Sequence, residues 1–201
     1  MFYEPSSGHG LPHDPFKAIV APRPIGWIST RAKDGSLNLA PYSFFNALSS
    51  KPPLVWFSSD GGKDSDVFAV ESGEFVVNLA GRDFAGAMNA SSVNAPRGVS
   101  EFGYAGLKAV PSVLVSAPRV AGVAAALECK VTEAFVPRGL DGVKIEAVVV
   151  MGEVVGVYID DAMLTDGIFD IVKAGNLARL GYMDYSSVDA IFQMRRPKWE
   201  E

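Results

Sequence analysis

Two Asp-Gly pairs, Asp34-Gly35 and Asp141-Gly142, interrupt runs of β-favouring residues and constrain the fold more than any other feature. Asp-Gly marks a tight turn between antiparallel strands, because both residues accept the positive φ such turns require. The first pair follows residues 25–30, which are apolar and β-favouring around Trp27 and Ile28, and 37–40 return as the second strand. Before the second pair, Leu127, Cys129 and Val131 alternate with Glu128, Lys130 and Thr132, the period-two pattern of a half-buried strand. The turn at Asp141-Gly142 then predicts one long apolar strand over 143–158. Two shorter runs, 54–57 after Pro52-Pro53 and 75–79, read as buried strands.

Helical signals are short. Asp64 or Ser65 can cap a helix that turns Val67, Phe68 and Val70 inward. Residues 82–91 form a second candidate, with Phe84 and Met88 one turn apart, and 170–173 a third. Nothing alternates strand and helix as a doubly wound sheet does, and no Gly-x-Gly-x-x-Gly follows a strand. The expectation is a mainly β chain, a closed or nearly closed antiparallel barrel with short helices, since closure hides the edges of long apolar strands. Residues 1–201 read as a single domain, of which 1–15 form an irregular, Pro- and Gly-rich arm.

Composition narrows the chemistry. One cysteine forms no intramolecular disulfide, and with only two histidines a structural zinc site is not expected. Both histidines, His9 and His13, fall in the N-terminal arm, so no His-based triad is expected either. Cys129 sits on the inward face of its strand and reads as an inert core residue. The formal net charge of −5 argues against a nucleic-acid surface, which needs a basic excess. The N-terminus has no signal-peptide pattern, and the greasiest stretch is too interrupted to span a bilayer, so a cytoplasmic location is expected. A chain so poor in catalytic side chains points to chemistry borrowed from a bound cofactor.

Five segments could hold one. In 22–30, two prolines fix the entry, Gly26 allows close backbone approach, and Ser29 and Thr30 offer hydroxyls at a strand end. In 38–50, Asn38, Tyr42, Ser43, Asn46, Ser49 and Ser50 interleave with Phe44, Phe45 and Leu48, a mixture suited to a flat heteroaromatic ring or to an ordinary covering loop. Lys63-Asp64-Ser65 follows Gly61-Gly62, so a helix start, a point charge and a hydroxyl meet, as an anion requires. Residues 89–102 hold turn formers and Arg97, and 179–185 hold the aromatic pair Tyr182 and Tyr185.

Taken in order, RPIGWIST, DGSLNLAPYSFF, PPLVWFS, KDS, GEFVVNLA, APRGVSEF and RLGYMDY resemble the flavin reductase-like family with the FMN-binding split barrel, over about 15–197. The resemblance implies a six-stranded antiparallel Greek-key split barrel, a homodimer and FMN near the subunit interface. It implies that Ser29, Thr30, Lys63 and Ser65 hold the flavin phosphate or ribityl chain. It implies that Ser43, Phe44, Phe45 and Asn46 meet the ring edge, with Ser49 at the end of that stretch, and that Trp27 and Tyr182 lie near the ring. Ser65 stands where the family often has Thr, and the hydroxyl survives. The loop around Arg97 varies among members. The implied activity is that of an NAD(P)H:FMN oxidoreductase, with NADH or NADPH as donor and a flavin, an oxygenase partner or another molecule as acceptor. Two alternatives stay open: an electron-transfer flavoprotein without NAD(P)H turnover, and a non-catalytic barrel that binds another cofactor.

Overall fold

A computed structural model describes residues 1–199. Seven strands form the principal sheet: β1 (Gly26–Arg31), β2 (Leu37–Tyr42), β3 (Phe45–Ser50), β4 (Pro53–Ser59), β5 (Glu74–Leu79), β6 (Ala125–Phe135) and β7 (Val148–Ile159). Their order is β2-β1-β5-β6-β7-β4-β3, and every pair is antiparallel. The outermost strands, β2 and β3, are joined only by Ser43 and Phe44, so the sheet curls until its two edges nearly meet. The Ser58 amide donates to the Phe44 carbonyl at 2.8 Å and extends the β3–β4 ladder to that turn. The mainly β split barrel is therefore present, with seven strands in its main sheet rather than six. The extra strand comes from 45–50, which the sequence allowed to be a loop.

Strand alternation sorts the apolar residues into two cores. Ile28, Val55, Phe57, Phe75, Val77, Cys129 and Val150 fill the barrel. Phe57 meets Phe75 edge-on at 5.4 Å and Tyr42 at 5.2 Å. Glycine makes room here: a Cβ on Gly152 would lie 2.5 Å from the Phe75 ring. Trp27, Leu39, Val76, Met88, Phe102 and Val120 form the second core on the other face, under helices α2 (Ala85–Ala90) and α3 (Glu101–Tyr104). Trp27 packs 5.8 Å from Phe84, and Met88 one turn later is buried, as the spacing predicts. A 3-10 turn, Arg82–Phe84, leads into α2. Burial pushes the Cys129 thiol well above its ordinary value, which fits an unreactive core residue.

Helix α1 (Asp64–Ser72) packs on β1, and the inward assignments of Val67 and Val70 change, Val67 being only half-buried. Ser65, Asp66, Phe68 and Ala69 are its buried residues, while Val70 is 50% exposed. Two polar side chains occupy the inner face: Asp66 anchors the loop before the helix, and Ser65 accepts from Asn38 on β2. The long strand begins at Val148, not Val143. Residues 136–147 make a separate excursion, closed by an Arg138–Lys144 bridge, with Asp141-Gly142 at its tip. The Asp-Gly signal thus does mark a turn in the connection between the paired strands β6 and β7, but at the tip of a longer excursion rather than directly before the strand.

The end of the chain forms a small sheet from Arg23–Pro24, Leu177–Arg179 and Tyr185–Ser187. The N-terminal arm is irregular apart from a 3-10 turn at Pro5–Ser7, and His13 lies edge-on to Tyr182 at 5.6 Å. Among the described residues, no helix is long and apolar enough to cross a membrane.

Candidate functional site

A cleft of ≈ 470 Å³ opens beside the seam, bordered by residues of β2 and the Ser43-Phe44 turn on one side and by the β4–α1 connection on the other. The loop after α2, with Ser92, Asn94 and Arg97, forms a third wall. Its size falls within the usual range of small-molecule and cofactor pockets, about 300–1,000 Å³.

The β4–α1 connection is built around one carboxylate. Gly61 and Gly62 both have positive φ, +75° and +69°, and a Cβ on Gly61 would meet the Glu146 carbonyl at 2.4 Å. That path suits glycine alone. It returns the chain over Asp66, whose buried carboxylate accepts from Ser59 Oγ at 2.8 Å and from the Gly62 and Lys63 amides at 2.9 Å each. These two amides are therefore committed inside the loop and are not free for an anion. The free donors at this helix start are the first-turn amides of Asp64 and Ser65, which have no intrahelical partner.

Two cations stand at the same end. Lys63 is exposed, and its Nζ lies 3.1 Å from Asn94 Oδ1. Arg97 lies 3.1 Å from Asp64 and offsets the carboxylate nearest the helix start. At the cleft floor, Asn38 Nδ2 donates to Ser65 Oγ at 2.7 Å and approaches Thr30 Oγ1 at 3.4 Å. Thr30 is fully buried and supports this floor from behind. Phe44 flanks the opening, with Lys17 Nζ 5.9 Å from its ring centroid. Burial raises the Tyr42 phenol above its ordinary value, against weaker opposing hydrogen bonds from Ser65 and Ser59, so the group stays neutral at pH 7.

Glu101 closes the cleft from α3, and its carboxylate accepts from the Leu39 amide at 3.0 Å. Burial raises its pKa above the ordinary 4.5. The folded state therefore binds this proton more tightly than the unfolded one, and the stabilisation is lost as pH rises through the folded pKa. Glu101→Gln keeps an oxygen for Leu39 and removes the charge. Thermal melts should show a smaller fall in stability above pH 4.5 for the variant than for the parent. Parallel pH profiles for the two would contradict this.

Several residues singled out from the sequence lie elsewhere. Trp27 and Ser29 belong to the opposite face of β1 from Thr30, because successive strand residues alternate. Trp27 is fully buried, and its Nε1 donates to Ser91 Oγ at 2.9 Å. Ser29 is fully buried, donates to the Pro118 carbonyl and accepts from Asn78 at 3.0 Å. Neither lines the cleft; Trp27 instead steadies the end of α2, just before Ser92. Phe45 turns into the barrel, over Gly26. Asn46 and Ser49 pair with Trp56 and Leu54 on the outer side of the sheet, away from the cleft. Tyr182 lines an adjoining cavity of ≈ 290 Å³ that shares Lys17, Pro41, Ser43 and Ser92 with the cleft. Lys63, Ser65, Ser43 and Phe44 all line the cleft. Asn94 and Glu101 were missed as site residues. Only their shared segment with Arg97 pointed to them.

The flavin reductase like domain family matches residues 20–182. An uncharacterized protein of Halalkalibacterium halodurans is 38% identical over 183 residues, covering 89% of this chain and 87% of its own length. Among solved structures, nitrilotriacetate monooxygenase component B from Bacillus cereus superposes with a TM-score of 0.86 at 27% identity, over 96% of this chain and 98% of its own. The Pseudomonas fluorescens 2-nitrobenzoate 2-nitroreductase NbaA gives 0.80 at 26% identity, over 92% and 90%. The fold and the relatives define an oxidoreductase-type split barrel. The chain belongs to the flavin reductase-like domain family.

Proposed function

We propose that this protein binds FMN in the cleft and acts as an NAD(P)H-dependent flavin oxidoreductase. The observation that carries the reading is the clustering of Lys63, Arg97 and the open first turn of α1 at one end of a cleft whose other end is aromatic and polar. FMN needs a seat for a dianion, a polar track for the ribityl chain and a flat slot for the ring. Lys63, Arg97 and the amides of Asp64 and Ser65 suit the phosphate. Ser65, Asn38 and Asn94 offer hydroxyl and amide groups for the polyol. Ser43 and Phe44 offer backbone groups and an apolar edge for the ring. When bound, FMN supplies the two-electron chemistry between a nicotinamide and an acceptor. The chain's own residues bind and orient it, and no side-chain acid or base is required of them.

Trp27, Ser29 and Thr30 act from behind the walls, as positioning residues. Phe45, Asn46 and Ser49 act on the barrel seam and the outer sheet face. A homodimer would use that side of the sheet, where Leu48 is 54% and Phe135 42% exposed. The physiological acceptor is a flavin, an oxygenase partner or another molecule. The monooxygenase component among the structural relatives favours the oxygenase.

Titration of flavin-free protein tests the cofactor reading. FMN should bind at least tenfold more tightly than riboflavin, which lacks the phosphate. Equal affinities would remove the role of the cation cluster.

A further inference from the structure

The ≈ 290 Å³ cavity beside the cleft carries a charge pattern that the FMN reading does not use. Three cationic side chains, Lys17, Arg23 and Arg179, line it, and no Asp or Glu does. Among the described residues the ion pairs are Arg82–Asp189 and Arg97–Asp64, so none of the three has a carboxylate partner. Asp14, the nearest acid in sequence to Lys17, accepts from the Phe16 amide instead, at 2.9 Å.

Arg23 is the decisive member. It is 6% exposed and donates to the carbonyls of Lys17, Val20 and Leu180, which joins the turn Phe16–Ile19 to the C-terminal segment. Its Nε is buried and has no partner. Carbonyls are neutral acceptors, so a buried positive charge here is hydrogen-bonded but not neutralised. A buried charge is normally paired, because leaving it alone is costly. The structure thus keeps a positive potential at a cavity wall, reinforced by Lys17 and Arg179.

The remaining walls mix aromatic and apolar side chains with the small polar groups of Ser43, Asn89 and Ser92. Tyr182 and Tyr185 flank the cavity with Ile25 and Met88, and the Arg179 guanidinium lies 4.4 Å from the Tyr185 ring centroid. Tyr182 has a positive φ of 55°, and its carbonyl accepts from Arg179, which fixes this corner.

We propose that this cavity is the subsite for the anionic group of a planar small-molecule substrate, a carboxylate or phosphate on an aromatic body. It would bind next to the flavin. This rests on the FMN reading for its place in the reaction, but binding at the cavity is testable without it. The cavity, rather than the FMN cleft, would then set which second substrate is accepted.

Calorimetric titration of the purified protein with benzoate, phenyl phosphate and neutral benzamide separates the cases. Benzoate or phenyl phosphate should bind at least tenfold more tightly than benzamide, and whichever is tighter names the anion's source. Lys17→Gln and Arg179→Gln should each weaken that binding about tenfold, as loss of a charge-assisted contact implies. FMN titrated into Arg179→Gln, whose side chain does not line the cleft, should keep its affinity within about threefold, a difference of under 1 kcal/mol. Failure of FMN to bind the parent would sink the cofactor reading while leaving this one intact. Equal affinity for benzamide and the anions, or anion affinities unchanged in both variants, would overturn the subsite.

Discussion

Asp66→Ala should destabilise the protein by about 2–4 kcal/mol, because a buried carboxylate with several donors leaves each of them unsatisfied when removed. The donors are Ser59 Oγ and the amides of Gly62 and Lys63, all within 2.9 Å. The last two lie in a segment that glycine conformations allow but do not enforce. Without the carboxylate, the β4–α1 connection loses the groups that hold its path. Urea unfolding measures the loss as a lowered midpoint at constant slope. FMN affinity should fall as well, since Lys63 would no longer be held beside the first turn of α1. Asp66→Asn should fall between the two, because an amide accepts through one oxygen only. A loss below about 0.5 kcal/mol for Asp66→Ala, the range of an ordinary surface substitution, would show that the loop is held otherwise.

Lys63→Ala should act on binding and not on the fold. The side chain is exposed, and its hydrogen bond goes to Asn94 at the surface. Removal of one charge-assisted phosphate bond should weaken FMN binding by about 1.5–3 kcal/mol, roughly 10- to 150-fold. Riboflavin affinity should hardly change, since the lost partner is the phosphate. Thermal midpoint should stay within a degree or two of the parent. The contrast with Asp66→Ala is the useful part: one residue supplies a charge, the other holds the loop that presents it. FMN affinity unchanged by Lys63→Ala would place the phosphate elsewhere.

The strands were largely legible because their signal is local. Alternation around Cys129, the β-favouring run at Trp27 and the apolar runs at Phe57 and Phe75 each report burial on a sheet face. The seventh strand was not legible, because Phe45–Ser50 is exposed along most of its length and so carries no alternation. Its pairing is supplied by β4 and not by its own pattern. Asp141-Gly142 misplaced the start of the long strand for a related reason: turn chemistry specifies a local bend, not how far from it the flanking strands begin to pair.

The cleft followed the same division. Lys63 and Ser65 were found because a glycine pair before a helix cap is a local motif. Asp66 was not, since it looks like any acid in a first turn until the loop folds back on it. Ser29 and Thr30 are neighbours in sequence and separated by the pleat, so a motif that contains both cannot say which one faces the cleft. Arg23 and Arg179 come from opposite ends of the chain and meet through the small sheet, where they pair directly. No spacing rule links residues so far apart.

The central claim is that this barrel holds a flavin that a nicotinamide can reduce. Anaerobic absorption spectroscopy of the FMN-loaded protein, before and after adding NADH or NADPH, tests it most directly. The flavin bands should bleach with at least one donor, and oxygen or another acceptor should restore them. A flavin that stays bound and oxidised with both nicotinamides, yet is reduced by a protein donor such as a ferredoxin, would contradict the reductase and leave an electron-transfer flavoprotein.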